Sequence, residues 1–243
     1  MPLLPSVSPF AAPLGASLSA TLVIALSLAG TPAHAQSVGA ASIAANGANG
    51  AAACASCHGA RGEGNPAAGF PYLAGLGRDY LNEQLDALAN GSRPNPVMAP
   101  VARALTASQR AALADYYARL PPPFDADVLA ATRDRAVAPS DTGAWLAIRG
   151  AWDKNVPACN QCHGPGGIGV GSAFPALAGQ SATYLAAQLR AWRQGHRPPG
   201  PLALMPAVAT RLSEPEIVAV ATYYAGLPKA AAILPGTVDG GRP

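Results

Sequence analysis

Charge is scarce in this chain. Asp, Glu, Lys and Arg make up 12% of its 243 residues, and the formal net charge is +3. Of the 16 basic residues only Lys154 and Lys229 are lysines. No basic run is dense enough to follow a phosphate backbone, which excludes nucleic acid as a partner. Strand signals are missing too, so a sheet-based fold is excluded and an all-α fold is expected. Long apolar runs are also absent. The stretch from Leu18 to Leu28 falls short of the roughly 20 residues that a membrane-spanning helix needs. It is followed by Ala33-His34-Ala35, a small-residue cleavage site ahead of Gln36, and residues 1–35 are therefore predicted to be a removable export signal. One feature departs from that pattern: no Lys or Arg precedes Arg61, so the signal has no basic leader. Glycine (26) and proline (25) are abundant instead, which predicts a chain rich in loops, with a large prosthetic group supplying core that side chains do not.

Cysteine is rare, and its placement is informative. All four cysteines fall in Cys54-Ala-Ser-Cys57-His58 and Cys159-Asn-Gln-Cys162-His163. Cys-x-x-Cys-His reads as covalent c-type haem attachment: two thiols add to the two vinyl groups, and the adjacent imidazole coordinates iron. The spacing must be tight because vinyls and iron axis are fixed relative to one another. Zinc is a weaker reading, since a ribbon places its two pairs about 15–20 residues apart, whereas 101 residues intervene here. A thioredoxin-like role lacks its βαβ context, and structural disulfides would not explain a His after each pair.

The chain repeats itself. Gly69-Phe70-Pro71-Tyr72-Leu73-Ala74-Gly75 aligns with Ala173-Phe174-Pro175-Ala176-Leu177-Ala178-Gly179 at an offset of 104, as do Tyr80, Gln84 and Arg93 with Tyr184, Gln188 and Arg197. After an insertion of three residues the offset becomes 107, pairing Met98 with Met205 and Tyr116-Tyr117 with Tyr223-Tyr224. Each unit has one helix around Leu81, Leu85 and Leu88 (Leu185, Leu189 and Trp192), closed by Gly91 or Gly195. A second helix opens with a capping box, Thr106-x-x-Gln109 or Ser213-x-x-Glu216. The expected organisation is a signal at 1–35, a first domain at 36–123 ending in Pro121-Pro122-Pro123, a linker at 124–140, a second domain at 141–228 and a tail at 229–243.

Six-coordinate haem iron needs a ligand opposite the His. After removal of residues 1–35 only Met98 and Met205 remain as methionines, at equivalent positions of the repeat and each beside proline in what reads as a loop. They are the expected partners of His58 and His163. His196 has no counterpart in the first unit and reads as a solvated residue. His/Met ligation raises the reduction potential relative to bis-His ligation. It also fills the sixth position, so no small-molecule substrate is expected at iron.

These residues, with Gly59, Gly164-Pro165, Phe174-Pro175-x-Leu177-Ala178-Gly179-Gln180 and Tyr184-Leu185-x-x-Gln188-Leu189, resemble the dihaem cytochromes c of the cytochrome c4 type. The likeness runs from about Ala44 to Pro228. It implies two tandem class I cytochrome c-like helical domains, each wrapped around one covalent haem, and a periplasmic, soluble or membrane-associated electron carrier. It also implies that the carbonyls of Pro71 and Pro175 accept hydrogen bonds from His58 and His163, fixing the imidazoles. Arg93 and Arg197 either pair with haem carboxylates or form a solvated face. Leu76 stands where the second unit has Gln180, so the first unit matches less closely.

The expected function is carriage of single electrons between a redox-protein donor and an acceptor such as a membrane-bound terminal oxidase. A cytochrome subunit of a periplasmic dehydrogenase is the alternative. A dihaem enzyme such as a peroxidase, which needs an open iron, is the less favoured reading.

Overall fold

A computed structural model describes residues 32–130, 137–200 and 202–227, with side chains from Gly39 onward. Most of the predicted export signal and the tail at 229–243 lie outside the described residues. Among those described, regular structure is helical, with only isolated β-bridges. In the first half α1 is Pro32–Asn46, α2 Ala55–His58, α3 Arg78–Asn90, α4 Met98–Ala104 and α5 Ala107–Ala118. In the second, α7 (Thr142–Ile148), α8 (Cys159–His163), α9 (Ala182–Arg193), α10 (Leu204–Ala209) and α11 (Glu214–Ala225) repeat that order. A further helix, α6 (Ala126–Ala130), joins them.

The helix ends follow from the sequence. Asp141 caps α7, its carboxylate accepting from the Ala144 N–H at 3.0 Å. Thr106 and Gln109 form one capping box and Ser213 and Glu216 the other, each satisfying backbone donors that the first turn leaves free. Gly91 ends α3 at φ 83°, a conformation open to glycine without a Cβ clash.

Packing repeats as well. The helix pair α3 and α5 supports α1 and α4, and α9 and α11 support α7 and α10 in the same way. Leu81, Leu105, Leu113 and Tyr117 form one core, and Leu146, Leu212, Ile217, Val220 and Tyr224 the other. In each half one tyrosine presses on a glycine. Gly62 (φ 71°) faces Tyr117 and Gly167 (φ 73°) faces Tyr224, where an added Cβ would stand 2.7 and 2.5 Å from the ring. Only glycine allows that approach.

The segment read as a linker is docked. Phe124 is buried, with its ring 6.4 Å from that of Tyr72. Leu129 of α6 is fully buried in the first core, and its backbone lies against Gly166 of the second half. Periodicity could not show this, because α6 is a single short turn and the two anchoring side chains, Phe124 ahead of it and Leu129 within it, sit five residues apart.

Candidate metal centres

Each Cys-x-x-Cys-His motif is a short helix, α2 or α8, that puts the two thiols and the imidazole within a turn of each other. No disulfide joins the four cysteines, and all four are partly buried. Burial pushes the Cys159 thiol up to about 11, partly offset by a hydrogen bond with Tyr224, and Cys54 is raised in the same way beside Tyr117. Among the described residues no three His, Cys, Asp or Glu side chains come together to hold a metal ion by themselves.

The histidines are buried and held from one side. His58 Nδ1 lies 2.8 Å from the Pro71 carbonyl oxygen, and His163 Nδ1 lies 2.7 Å from that of Pro175. Nδ1 must be the donor, since a carbonyl can only accept, which leaves Nε2 as the bare nitrogen with a lone pair to offer. Burial lowers both imidazole pKa values, outweighing the opposing effect of the proline carbonyls, which favours the neutral ring.

The backbone sets this geometry in both halves. The His58 carbonyl accepts from Gly64 N–H and the His163 carbonyl from Gly169 N–H, each at 2.7 Å. The Gly62 carbonyl accepts from Leu73 and Ala74, and that of Gly167 from Leu177 and Ala178. Gly75 and Gly179 then donate to the carbonyls of Tyr117 and Tyr224. The loop carrying each proline is thus tied to the turn after each His and to the last long helix of its half. Phe70 and Phe174 stand 6.3 and 6.4 Å from the two imidazoles.

Met98 and Met205 are partly buried at equivalent places in the two halves. Instead of a loop, each occupies the first turn of a short helix, α4 or α10. Proline is compatible with that, because the first-turn N–H groups need no intrahelical acceptor and Pro100 and Pro206 fall there. In the first half, Asn95 supplies the missing partner by accepting from Val97 and Met98 N–H at 3.0 and 2.8 Å. His196 is exposed.

Arg93 and Arg197 do not form a solvated face. Arg197 is buried and Arg93 partly so. Each reaches across to the other half. Arg93 donates to Tyr184 Oη (3.1 Å) and Gln188 Oε1 (2.8 Å), and Arg197 donates to Tyr80 Oη (3.2 Å) and Gln84 Oε1 (2.9 Å). The cluster is reciprocal because its members are the repeat-equivalent pairs. Neither guanidinium forms an ion pair among the described residues. Burial would raise the Tyr184 phenol, but the two arginines overcome it and bring it down to about 8.

Sequence reasoning did not find a second contact between the halves. Tyr72 N–H donates to Gln180 Oε1 at 3.1 Å, Gln180 Nε2 donates to the Tyr72 carbonyl at 3.2 Å, and Tyr72 Oη donates to the Ala178 carbonyl at 3.1 Å. Both side chains are buried. The mismatch between Gln180 and Leu76 in the repeat was the available signal.

Comparison with known proteins agrees with this arrangement. Residues 44–120 match the family described as cytochrome c, and residues 144–223 match the one described as cytochrome c oxidase, cbb3-type, subunit III. The chain is 48% identical over 176 residues to a thiosulfate dehydrogenase electron acceptor of Thiomonas intermedia, spanning 70% of this chain and 76% of that one. It is 36% identical to cytochrome c4 of Pseudomonas aeruginosa, over 86% of this chain and 98% of the relative. Among solved structures, thiosulfate dehydrogenase TsdBA from Marichromatium purpuratum superposes with a TM-score of 0.68 at 43% identity, covering 79% of this chain. This chain spans 40% of that longer protein. The two Cys-x-x-Cys-His motifs therefore carry two covalent haem c groups, and the chain belongs to the dihaem electron-transfer cytochromes c of the cytochrome c4 type.

Proposed function

We propose that this protein is an exported, periplasmic carrier that accepts electrons from a thiosulfate-oxidising dehydrogenase and passes them to a respiratory acceptor such as a membrane-bound oxidase. The observation that carries this is the 48% identity to a protein that serves as electron acceptor for thiosulfate dehydrogenase. When bound, the haems supply one-electron Fe(III)/Fe(II) chemistry. Cys54 and Cys57 hold one and Cys159 and Cys162 the other. His58 with Met98 would hold the first iron, and His163 with Met205 the second. The Pro71 and Pro175 carbonyls hold the imidazoles in one tautomer and raise their basicity. Two protein ligands at each iron would leave no place for substrate, which favours transfer over catalysis. The domains are those at 36–123 and 141–228. No helix among the described residues is long and apolar enough to cross a membrane.

That this chain matches 40% of a longer thiosulfate dehydrogenase chain from Marichromatium favours a second reading, that of a cytochrome subunit bound stably to a dehydrogenase. One experiment separates them. The purified, oxidised holoprotein is mixed with a thiosulfate dehydrogenase and thiosulfate, and the reduced haem band is followed. A carrier is reduced at catalytic enzyme concentrations without co-eluting with the enzyme; a subunit co-elutes. A protein that dithionite reduces and the dehydrogenase does not would overturn both.

A further inference from the structure

We infer that Gln180 of the second half is a positioning residue for the iron of the first half, acting through the peptide bond between Pro71 and Tyr72. The inference rests on His58 being an axial ligand.

The connection is three groups long. Gln180 Oε1 accepts from Tyr72 N–H at 3.1 Å. That N–H belongs to the same planar peptide as the Pro71 carbonyl. The Pro71 carbonyl accepts from His58 Nδ1 at 2.8 Å. Hydrogen bonds in series polarise one another, and an amide whose N–H is engaged has a more negative carbonyl oxygen. Gln180 therefore strengthens the bond to His58 and fixes its direction. Its Nε2 donates to the Tyr72 carbonyl at 3.2 Å, so one side chain clamps Tyr72 on both backbone groups. Its own Oε1 also accepts from Ser181 N–H at 3.0 Å, which holds the amide in place. Gln180 is 3% exposed and Tyr72 2%, so water does not substitute for these bonds.

The clamp works in one direction. The residue equivalent to Gln180 in the first half is Leu76, which is buried and has no polar atom. Among the described residues, the Ala176 N–H beside Pro175 meets no side chain of the first half. The His163 carbonyl partner thus lacks the polarising contact that the His58 partner has. A stronger Nδ1–H···O bond makes the imidazole a better donor to iron and favours Fe(III). Gln180 therefore lowers the potential of the first haem and leaves that of the second alone, giving two nearly equivalent sites different potentials.

The test uses the holoprotein with Gln180→Met, which keeps side-chain length without hydrogen bonds, and Gln180→Leu as a second variant. Tyr72→Phe is the control: it removes a buried bond between the same halves, to Ala178, without touching the Pro71–Tyr72 peptide. Readouts are a two-component redox titration and the His Nδ1–H resonances of the reduced, ¹⁵N-His-labelled protein. The expected result is that either Gln180 variant shifts the first haem about threefold toward Fe(II), about 30 mV upward at 59 mV per tenfold. The His58 Nδ1–H resonance moves upfield while that of His163 stays. Tyr72→Phe leaves both in place. Unchanged potentials and resonances in both variants, or an equal shift in Tyr72→Phe, would overturn the inference. A wild-type protein lacking two His-ligated low-spin haems would overturn the axial assignment instead.

Discussion

Leu129→Ala tests whether the joining segment is part of the folded core. Leu129 is 0% exposed and packs in the first core, and the backbone at Leu129 touches Gly166 of the second half. Truncation removes the transfer free energy of a fully buried leucine and leaves a cavity. Cavity-forming Leu→Ala changes cost about 2.7–5 kcal/mol. Gly166 is locked at φ 62° against backbone atoms, so the site collapses poorly and the upper half of that range applies, about 4 kcal/mol. For a chain of this size each kcal/mol moves Tm by about 2–4 °C, so the loss is about 8–16 °C. The neighbouring Val128 is 49% exposed and serves as control, because Val128→Ala should stay within about 0.5 kcal/mol. Denaturant unfolding is followed by helical circular dichroism and the haem Soret band together. A loss below about 1 kcal/mol, no larger than the scatter of ordinary substitutions, would refute the docking of this segment.

Met98→Ala should open one iron and lower its potential by on the order of 0.1 V, given that axial ligands set haem potentials over about 0.8 V; an unchanged redox titration removes Met98 from the ligand set. Cys162→Ala should leave the second haem with one thioether bond and the first with two, visible in the denatured haem spectrum; two doubly linked haems would remove Cys162 from the attachment set. The Tyr184 phenol, held at about 8 by Arg93 and Arg197 against the effect of burial, should appear as a tyrosinate absorbance step that Tyr184→Phe abolishes. Its folded pKa lies below the ordinary value of about 10, so ionisation favours the folded state. That contribution is complete above about pH 10, is lost as pH falls through 8, and makes stability rise between the two. A wild-type protein with no tyrosine titrating below about 10 would show that other anions already neutralise the two guanidiniums.

The haem-attachment motifs were legible because each depends on local spacing: Cys-x-x-Cys-His fixes thiols and imidazole within one turn. The helix starts were legible for the same reason, since a capping box needs only residues three apart. How the halves face each other was not. Tyr80, Gln84 and Arg93 aligned with Tyr184, Gln188 and Arg197 as members of two separate copies, and alignment gives no distance between copies. The structure joins each arginine to the opposite copy's tyrosine and glutamine, which turns a repeat into a two-fold contact. Such a contact would be symmetric if the copies were identical at every buried position. They differ at Leu76 and Gln180, where a polar amide in one copy meets the backbone of the other and, among the described residues, the apolar Leu76 side chain makes no matching hydrogen bond in return. Duplication therefore supplied two like haem-attachment sites, and divergence at that buried position made their surroundings unlike. An electron shared between two sites settles on the one of higher potential, so the asymmetry inferred at Gln180 would give transfer between the two haems a direction.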